Sequence, residues 1–429
     1  MYLKISLLLS VILILFSCKK DTDNKEPRIT ITNPYENQQF TALDTIPVIA
    51  EIEDETTLKH INITLTDNNK IPVLNTVSII PQNKKVNISV PYILDNINLT
   101  SGNYYICINA SDGINSHYTY RGININGIER KLTYTYIFTY KNSNTIHVSH
   151  INSTGDTQQL FDISSDFCSA AICSRHQLFY TAGKSFGDVS AFEVADNSLK
   201  WSLPVVSNPP FPYFTNIGCY NDILYVAFYD GFIKAYNNNG SITVTAQSSA
   251  GSYPVKLFAN SSYLFADHAF YSGSARIFGV YYLVSGALKQ FINTNYSVVD
   301  IFEKDNDNVF IFANFGGQGI IRLFSISGNG TWEPHTVPSG KINDVLQINE
   351  NTYIIAHESG LYKYIYNSNS LISFISGINA SSVKFDDISS DVYVSVGNKL
   401  LIYDYLSHSL INTITTTDSI LDFQLLYNK

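Results

Sequence analysis

Six short apolar runs recur through the C-terminal part of this chain, and their spacing restricts the fold more than any other feature does. They are Leu178-Phe179-Tyr180-Thr181-Ala182, Leu224-Tyr225-Val226-Ala227-Phe228, Leu264-Phe265-Ala266-Asp267-His268, Phe310-Ile311-Phe312-Ala313-Asn314, Tyr353-Ile354-Ile355-Ala356-His357 and Val392-Tyr393-Val394-Ser395-Val396. Their starts lie 39 to 46 residues apart. Each interval holds further strand-like runs separated by turn residues. A period of this length built from short strands predicts a β-propeller rather than a helical array.

One unit displays the scheme. Phe167 to Ser174, Gln177 to Ala182, Val189 to Val194 and Leu199 to Leu203 read as four successive strands, with turns at Gly187-Asp188 and Asp196-Asn197. Asp230-Gly231, Asn239-Gly240, Ser359-Gly360 and Gly397-Asn398 mark the same turns elsewhere. First strands can be assigned near Phe167, Tyr213, Pro254, Ser297, Ile342, Ser381 and Ile420. The last has no strands after it, while the opening unit (Tyr134 to Thr139, Ile146 to Ile151, Gln158 to Ile163) lacks a first strand. The expectation is an all-β protein in which residues 128–429 form a seven-bladed propeller, closed by the C-terminal strand so that no sheet edge is left open at the seam.

Upstream, residues 27–127 hold six or seven alternating strands, among them Arg28 to Thr32, Ile46 to Ile52, His60 to Leu65, Val86 to Val90, Tyr104 to Ala110 and Tyr118 to Ile123. That density predicts a β-sandwich. The stretch Leu99-Thr100-Ser101-Gly102-Asn103-Tyr104, continuing to Ala110-Ser111-Asp112-Gly113, resembles the penultimate-strand region of bacterial immunoglobulin-like domains. Tyr104 resembles a tyrosine corner, and the antibody-type cysteine and tryptophan pins are absent. In the later units, Gly187-Asp188-Val189-Ser190-Ala191-Phe192-Glu193-Val194 leading to Leu199-Lys200-Trp201 resembles a repeat of the pyrroloquinoline-quinone-like propellers. The likeness is to a scaffold. The calcium-binding carboxylate set and adjacent cysteines of the quinone enzymes are missing, so it implies no cofactor.

The N-terminus carries Lys4 and then an apolar stretch from Ile5 to Phe16, too short to span a bilayer as a helix. It ends in Leu15-Phe16-Ser17-Cys18, which resembles the lipobox of bacterial lipoproteins. The resemblance implies a signal peptide over residues 1–17, acylation of Cys18, a tether over 18–26 and attachment to a membrane by lipid chains. Cys18-Lys19-Lys20-Asp21-Thr22-Asp23 is similar to the export tag of Bacteroidota surface lipoproteins, which implies an outer-membrane location on the cell surface, with the periplasmic face as the other possibility.

Composition narrows the partners. With 36 acidic against 27 basic residues and a net charge of −9, the chain lacks the basic face that nucleic acid requires. Cys107, Cys168, Cys173 and Cys219 show no CxxC or Cys/His spacing, so no metal is assigned; the small apolar thiol suits packed strands, and a disulfide stays open. There is no nucleophile elbow, and Gly316-Gly317-Gln318-Gly319 joins strands without opening a helix, so no catalytic residue is assigned. Propeller ligands usually sit where the hairpins between second and third strands meet the crossings between blades. Tyr229, Asp230, His268, Tyr271, Arg276, Asn314, His357 and Glu358 fall there, with His268, Asn314 and His357 at strand ends expected to converge on one mouth. Aromatics with a few hydrogen-bonding groups suit a glycan, peptide or protein partner. The function expected is non-enzymatic binding. A propeller lyase or hydrolase acting on polysaccharide, and a scaffold for outer-membrane assembly, are the alternatives.

Overall fold

A computed structural model describes residues 25–152, 155–206 and 211–429. Cys18, the apolar N-terminal segment, most of the tether, and Pro209 and Pro210 lie outside the described residues. Every regular element is a strand: 36 strands and, among the described residues, no helix. The chain divides into two compact units, Met1–Glu129 and Arg130–Lys429.

The first unit packs two sheets around one core. Arg28–Asn33, Thr45–Glu53 and Lys85–Ile93 form a three-stranded sheet, and Gln38–Thr41, Ser116–Asn126, Gly102–Ser111, His60–Thr66 and Val77–Ile79 a five-stranded one. Strict alternation decides which face turns inward. Ile46, Val48, Ala50 and Ile52 are buried from the first sheet and meet Ile61, Ile63, Leu65, Ile106 and Ile108 of the second. Two tyrosines fasten the unit. Tyr92 accepts the Leu65 N–H at 3.0 Å and donates to the Asn75 carbonyl at 2.8 Å. The Tyr104 hydroxyl donates to the Thr100 carbonyl at 3.0 Å. At Gly127 a Cβ would lie 2.7 Å from the Leu99 carbonyl oxygen, so only glycine fits.

The second unit contains seven four-stranded antiparallel sheets. In six of them the strands follow chain order from a first strand: Ser169–Cys173, Phe214–Tyr220, Ser252–Ala259, Ser297–Glu303, Ile342–Asn349 and Ser382–Asp386. The remaining sheet joins Leu132–Asn142, Thr145–Asn152 and Thr157–Ser164 to Ile420–Tyr427, which pairs with Leu132–Asn142 from Ile420 opposite Thr139 to Tyr427 opposite Leu132. Each first strand packs beside that of the following sheet, and Ile420–Tyr427 touches both Ser382–Asp386 and Ser169–Cys173. Seven apolar clusters fill the spaces between neighbouring sheets.

Sandwiching between neighbours explains the repeated runs. Second strands are covered on both faces, so Leu178–Ala182 and Thr352–His357 are buried at every position, and continuous apolar runs replace alternation there. Fourth strands are largely exposed, as in Leu410–Thr415. The four cysteines of the described residues are free thiols. Cys173 and Cys219 hold matching places in adjacent first strands, opposite Leu178 and Leu224.

Candidate functional site

Antiparallel pairing brings the end of each second strand beside the beginning of its first strand, so one end of the seven sheets collects the hairpins and the incoming segments. Four aromatic rings cluster there. Tyr229 follows Ile223–Phe228, Tyr253 lies in Ser252–Ala259, and Tyr271 follows Tyr263–Phe270. Their centroids are 4.5 Å (Tyr229–Tyr253), 5.1 Å (Tyr229–Tyr271) and 5.3 Å (Tyr253–Tyr271) apart, and Phe211 stacks on Tyr229 at 6.0 Å. The Tyr271 hydroxyl donates to the Tyr229 carbonyl at 2.6 Å, which fixes the ring across two sheets. Even so, Tyr271 is 47% and Phe211 58% exposed. Asp230 is exposed beside them, its carboxylate accepting the Phe232 N–H at 3.3 Å within the turn.

A basic recess of about 470 Å³ opens on the same end, lined by Ser274, Arg276, Asn295, Ser297, Asn314, Gly316, Gly317 and Lys341. Arg276 is held from behind by Asp267, whose side chain is fully buried; Nε sits 3.1 Å from both carboxylate oxygens and Nη2 forms an ion pair. Asp267 also accepts the Val298 N–H at 3.1 Å, tying its sheet to the next. Burial pushes the Asp267 carboxyl up to about 6 although Arg276 pulls it down. Asn314 clamps the following first strand, donating to the Ile342 carbonyl at 2.7 Å and accepting its N–H at 2.9 Å.

The two histidines do not join this surface. His268 is 1% exposed and held between the Ile277 carbonyl (3.2 Å) and the Tyr281 hydroxyl (3.0 Å). Burial lowers it to about 4, so the imidazole is neutral. His357 is fully buried, its Nδ1 accepting the Ser359 N–H at 3.1 Å. Register explains why Asn314 does not match them. Five of the seven first strands carry a bulge, and the residue opposite the position before it is His268 in one sheet, His357 in another and Ala313 in the sheet between. Asn314 therefore stands one residue farther out. Glu358 is exposed and accepts the Lys341 N–H at 3.1 Å.

A second polar region, not foreseen from sequence, lies among the first strands in a cavity of about 840 Å³. Immediately after the bulge stand Asn216, Lys256, Asp300, Asp344 and Asp422. Every charge there has a neighbour. Lys256 pairs with Asp300. Asp344 receives Ser382 Oγ and the Val383 N–H at 2.8 Å each and Lys384 Nζ at 3.4 Å. The Val345 N–H bonds Asp300 at 3.1 Å, and Gln424 bonds Asp422 at 3.0 Å. Arg130 takes Asp387 at 2.7 and 2.8 Å and covers the Tyr427 ring at 3.6 Å. Burial, with the Asp344 carboxylate alongside, pushes Asp300 up to about 7 against the pull of Lys256. Burial acts on Asp344 as well, but Lys384 and the remaining donors outweigh it and leave the group below the usual carboxylate range. Asp300 and Asp344 each reach a backbone N–H of the next sheet, replacing ladder bonds that cannot form between separate sheets. Among the described residues, no group of three or more His, Cys, Asp or Glu is placed to hold a metal ion.

No family model matches this chain, and no curated protein matches it. Among solved structures it is similar to the crystal structure of the computationally designed Ika8 protein, at 13% identity and a TM-score of 0.48, over 68% of this chain and 90% of that one.

Proposed function

We propose that this chain is a lipid-anchored binding protein of the bacterial cell envelope, in which an immunoglobulin-like spacer carries a seven-bladed propeller that binds a glycan or peptide on its hairpin end. The observation that carries the binding reading is the cluster of Phe211, Tyr229, Tyr253 and Tyr271, in which Phe211 and Tyr271 are exposed and Tyr229 and Tyr253 half-buried. Rigid aromatic rings offer contact area at low entropic cost, and here their placement is built in before any ligand arrives. The propeller reading draws support from seven equal sheets with first strands in cyclic contact, and the spacer reading from the Tyr104 to Thr100 bond. Replacing Phe211 and Tyr271 together by alanine is expected to weaken every ligand found on a glycan and peptide array without unfolding the protein. Unchanged array binding refutes the reading. The anchor rests on Cys18 alone: Cys18→Ser is expected to lose acylation and leave the membrane fraction, and its retention there refutes the anchor.

The neighbouring carboxylates Asp300 and Asp344 favour a second reading, polysaccharide hydrolysis or lysis within the cavity. Binding is preferred because both carboxylates are occupied by lysines and backbone N–H groups. Release of reducing ends from a bound polysaccharide, abolished by Asp344→Asn, would reverse that preference.

A further inference from the structure

We infer that the ligand of the hairpin end is an anionic glycan, its uronate carboxylates or sulfate esters seated in the recess between Arg276 and Lys341. This rests on the binding reading above and adds the ligand's charge and class. The chain has an excess of acids, 36 against 27 bases, yet the residues lining this recess include two cations and no carboxylate. Lys341 is exposed and forms no ion pair among the described residues. The nearby Glu358 bonds the Lys341 backbone N–H rather than its ammonium. Arg276 commits Nε and Nη2 to Asp267, which lies fully buried behind it. Its Nη1 is left to meet a ligand, and the buried pair holds the guanidinium in place.

The shape agrees with the charge. A volume of about 470 Å³ falls within the range of small-ligand sites. Gly316 and Gly317, at φ 58° and 83°, turn the bordering hairpin, and a Cβ on either would meet nothing within 4 Å, so the mouth is open. Tyr271 of the aromatic cluster and Ser274 of the recess share the turn between Tyr263–Phe270 and Arg276–Tyr282. A sugar ring can lie on the tyrosine face while an acidic neighbour in the same chain enters the recess. Glycan is favoured over acidic peptide because an extended peptide takes main-chain hydrogen bonds from a free strand edge, and Arg276–Tyr282 is already paired on both sides.

Titration calorimetry of the full-length protein with polygalacturonate, chondroitin sulfate, dextran, xyloglucan and poly-L-glutamate tests this. One or both anionic glycans are expected to bind, more weakly as salt rises, since the Debye length shrinks from about 10 Å at 0.1 M to about 3 Å at 1 M. Lys341→Glu should cut that affinity roughly five- to tenfold with the melting temperature unchanged, and Lys341→Arg should preserve it. Neutral glycans binding as well as anionic ones, with Lys341→Glu silent, overturns the anionic inference while the binding reading stands. Poly-L-glutamate binding in place of the glycans overturns the ligand class. Phe211→Ala/Tyr271→Ala without effect on any bound ligand refutes the binding reading itself, and no binding by any of the five refutes the inference.

Discussion

Two polar regions of the second unit differ in how their charges are spent. In the cavity among the first strands, Lys256, Asp300, Asp344, Lys384 and Asp422 lie close together, but each answers to a neighbour or to a backbone N–H of the adjacent sheet. In the recess at the hairpin end only two cations are present, and Lys341 has no counter-ion among the described residues. Charge density is thus a poor guide to a site. A self-satisfied network stabilises the assembly of sheets, whereas an unanswered cation in an open recess is available to a ligand.

The most drastic way to break the inner region is to remove Ile420–Lys429. The deletion takes away Asp422 and Gln424 together with buried Ile420, Phe423 and Leu426, and leaves Leu132–Asn142 with an unpaired edge. Burial of each apolar side chain is worth about 1.5–3 kcal/mol, so aggregation or a melting temperature lowered by more than about 10 °C is expected. Melting like the full chain would show that the C-terminal strand does not hold the sheets together.

Asp344→Ala attacks the same region at one residue. It strands Lys384 and removes the acceptor of Ser382 Oγ and the Val383 N–H, at a cost of roughly 2–4 kcal/mol. Chemical denaturation measures the loss, and ligand binding at the hairpin end should survive it. A change below about 0.5 kcal/mol would mean that the cavity charges are not structural.

A smaller effect is read from pH. Burial and the neighbouring Asp344 carboxylate raise the Asp300 carboxyl above its ordinary value of 3.8 against the pull of Lys256, so the group holds its proton to higher pH in the folded protein than in the unfolded chain. Its contribution is fully present below the unfolded value and is lost as pH rises toward 7. The stability difference between the wild type and Asp300→Asn should therefore shift against the wild type between pH 4 and 7. Parallel stability curves across that window would contradict the shared environment of the two carboxylates. Smallest of all, Lys341→Ala should change stability by no more than about 0.5 kcal/mol, since nothing in the fold depends on its ammonium. A clear loss would erase the distinction between the two regions.

The repeat was legible because a second strand packed between two sheets must be apolar on both faces, and five or six such residues in a row stand out at a regular interval. Leu132–Asn142, the second strand of the sheet completed by the C-terminus, carries Thr133, Thr135 and Thr139 around Ile137 and Phe138 and so breaks the pattern. It was found only by its place in the order of strands. Tyr229, Tyr271 and Arg276 were legible as residues at strand ends. Tyr253 and Lys341 were not, because each lies in or beside a first strand whose partners come from other sheets.

What sequence alone determined is the alternation, the turn glycines and the interval between apolar runs, all of which are local consequences of burying one strand against its neighbours. Tertiary structure decided whether each polar side chain is answered. His268 and His357 occupy strand ends that read as solvent-facing, yet Tyr281 in one case and the Ser359 turn in the other enclose them. Asp300 and Asp344, isolated in apolar strands 44 residues apart, become neighbours only when their sheets lie side by side. A polar residue's partner is set by distances across the fold, and those belong to no local stretch of chain.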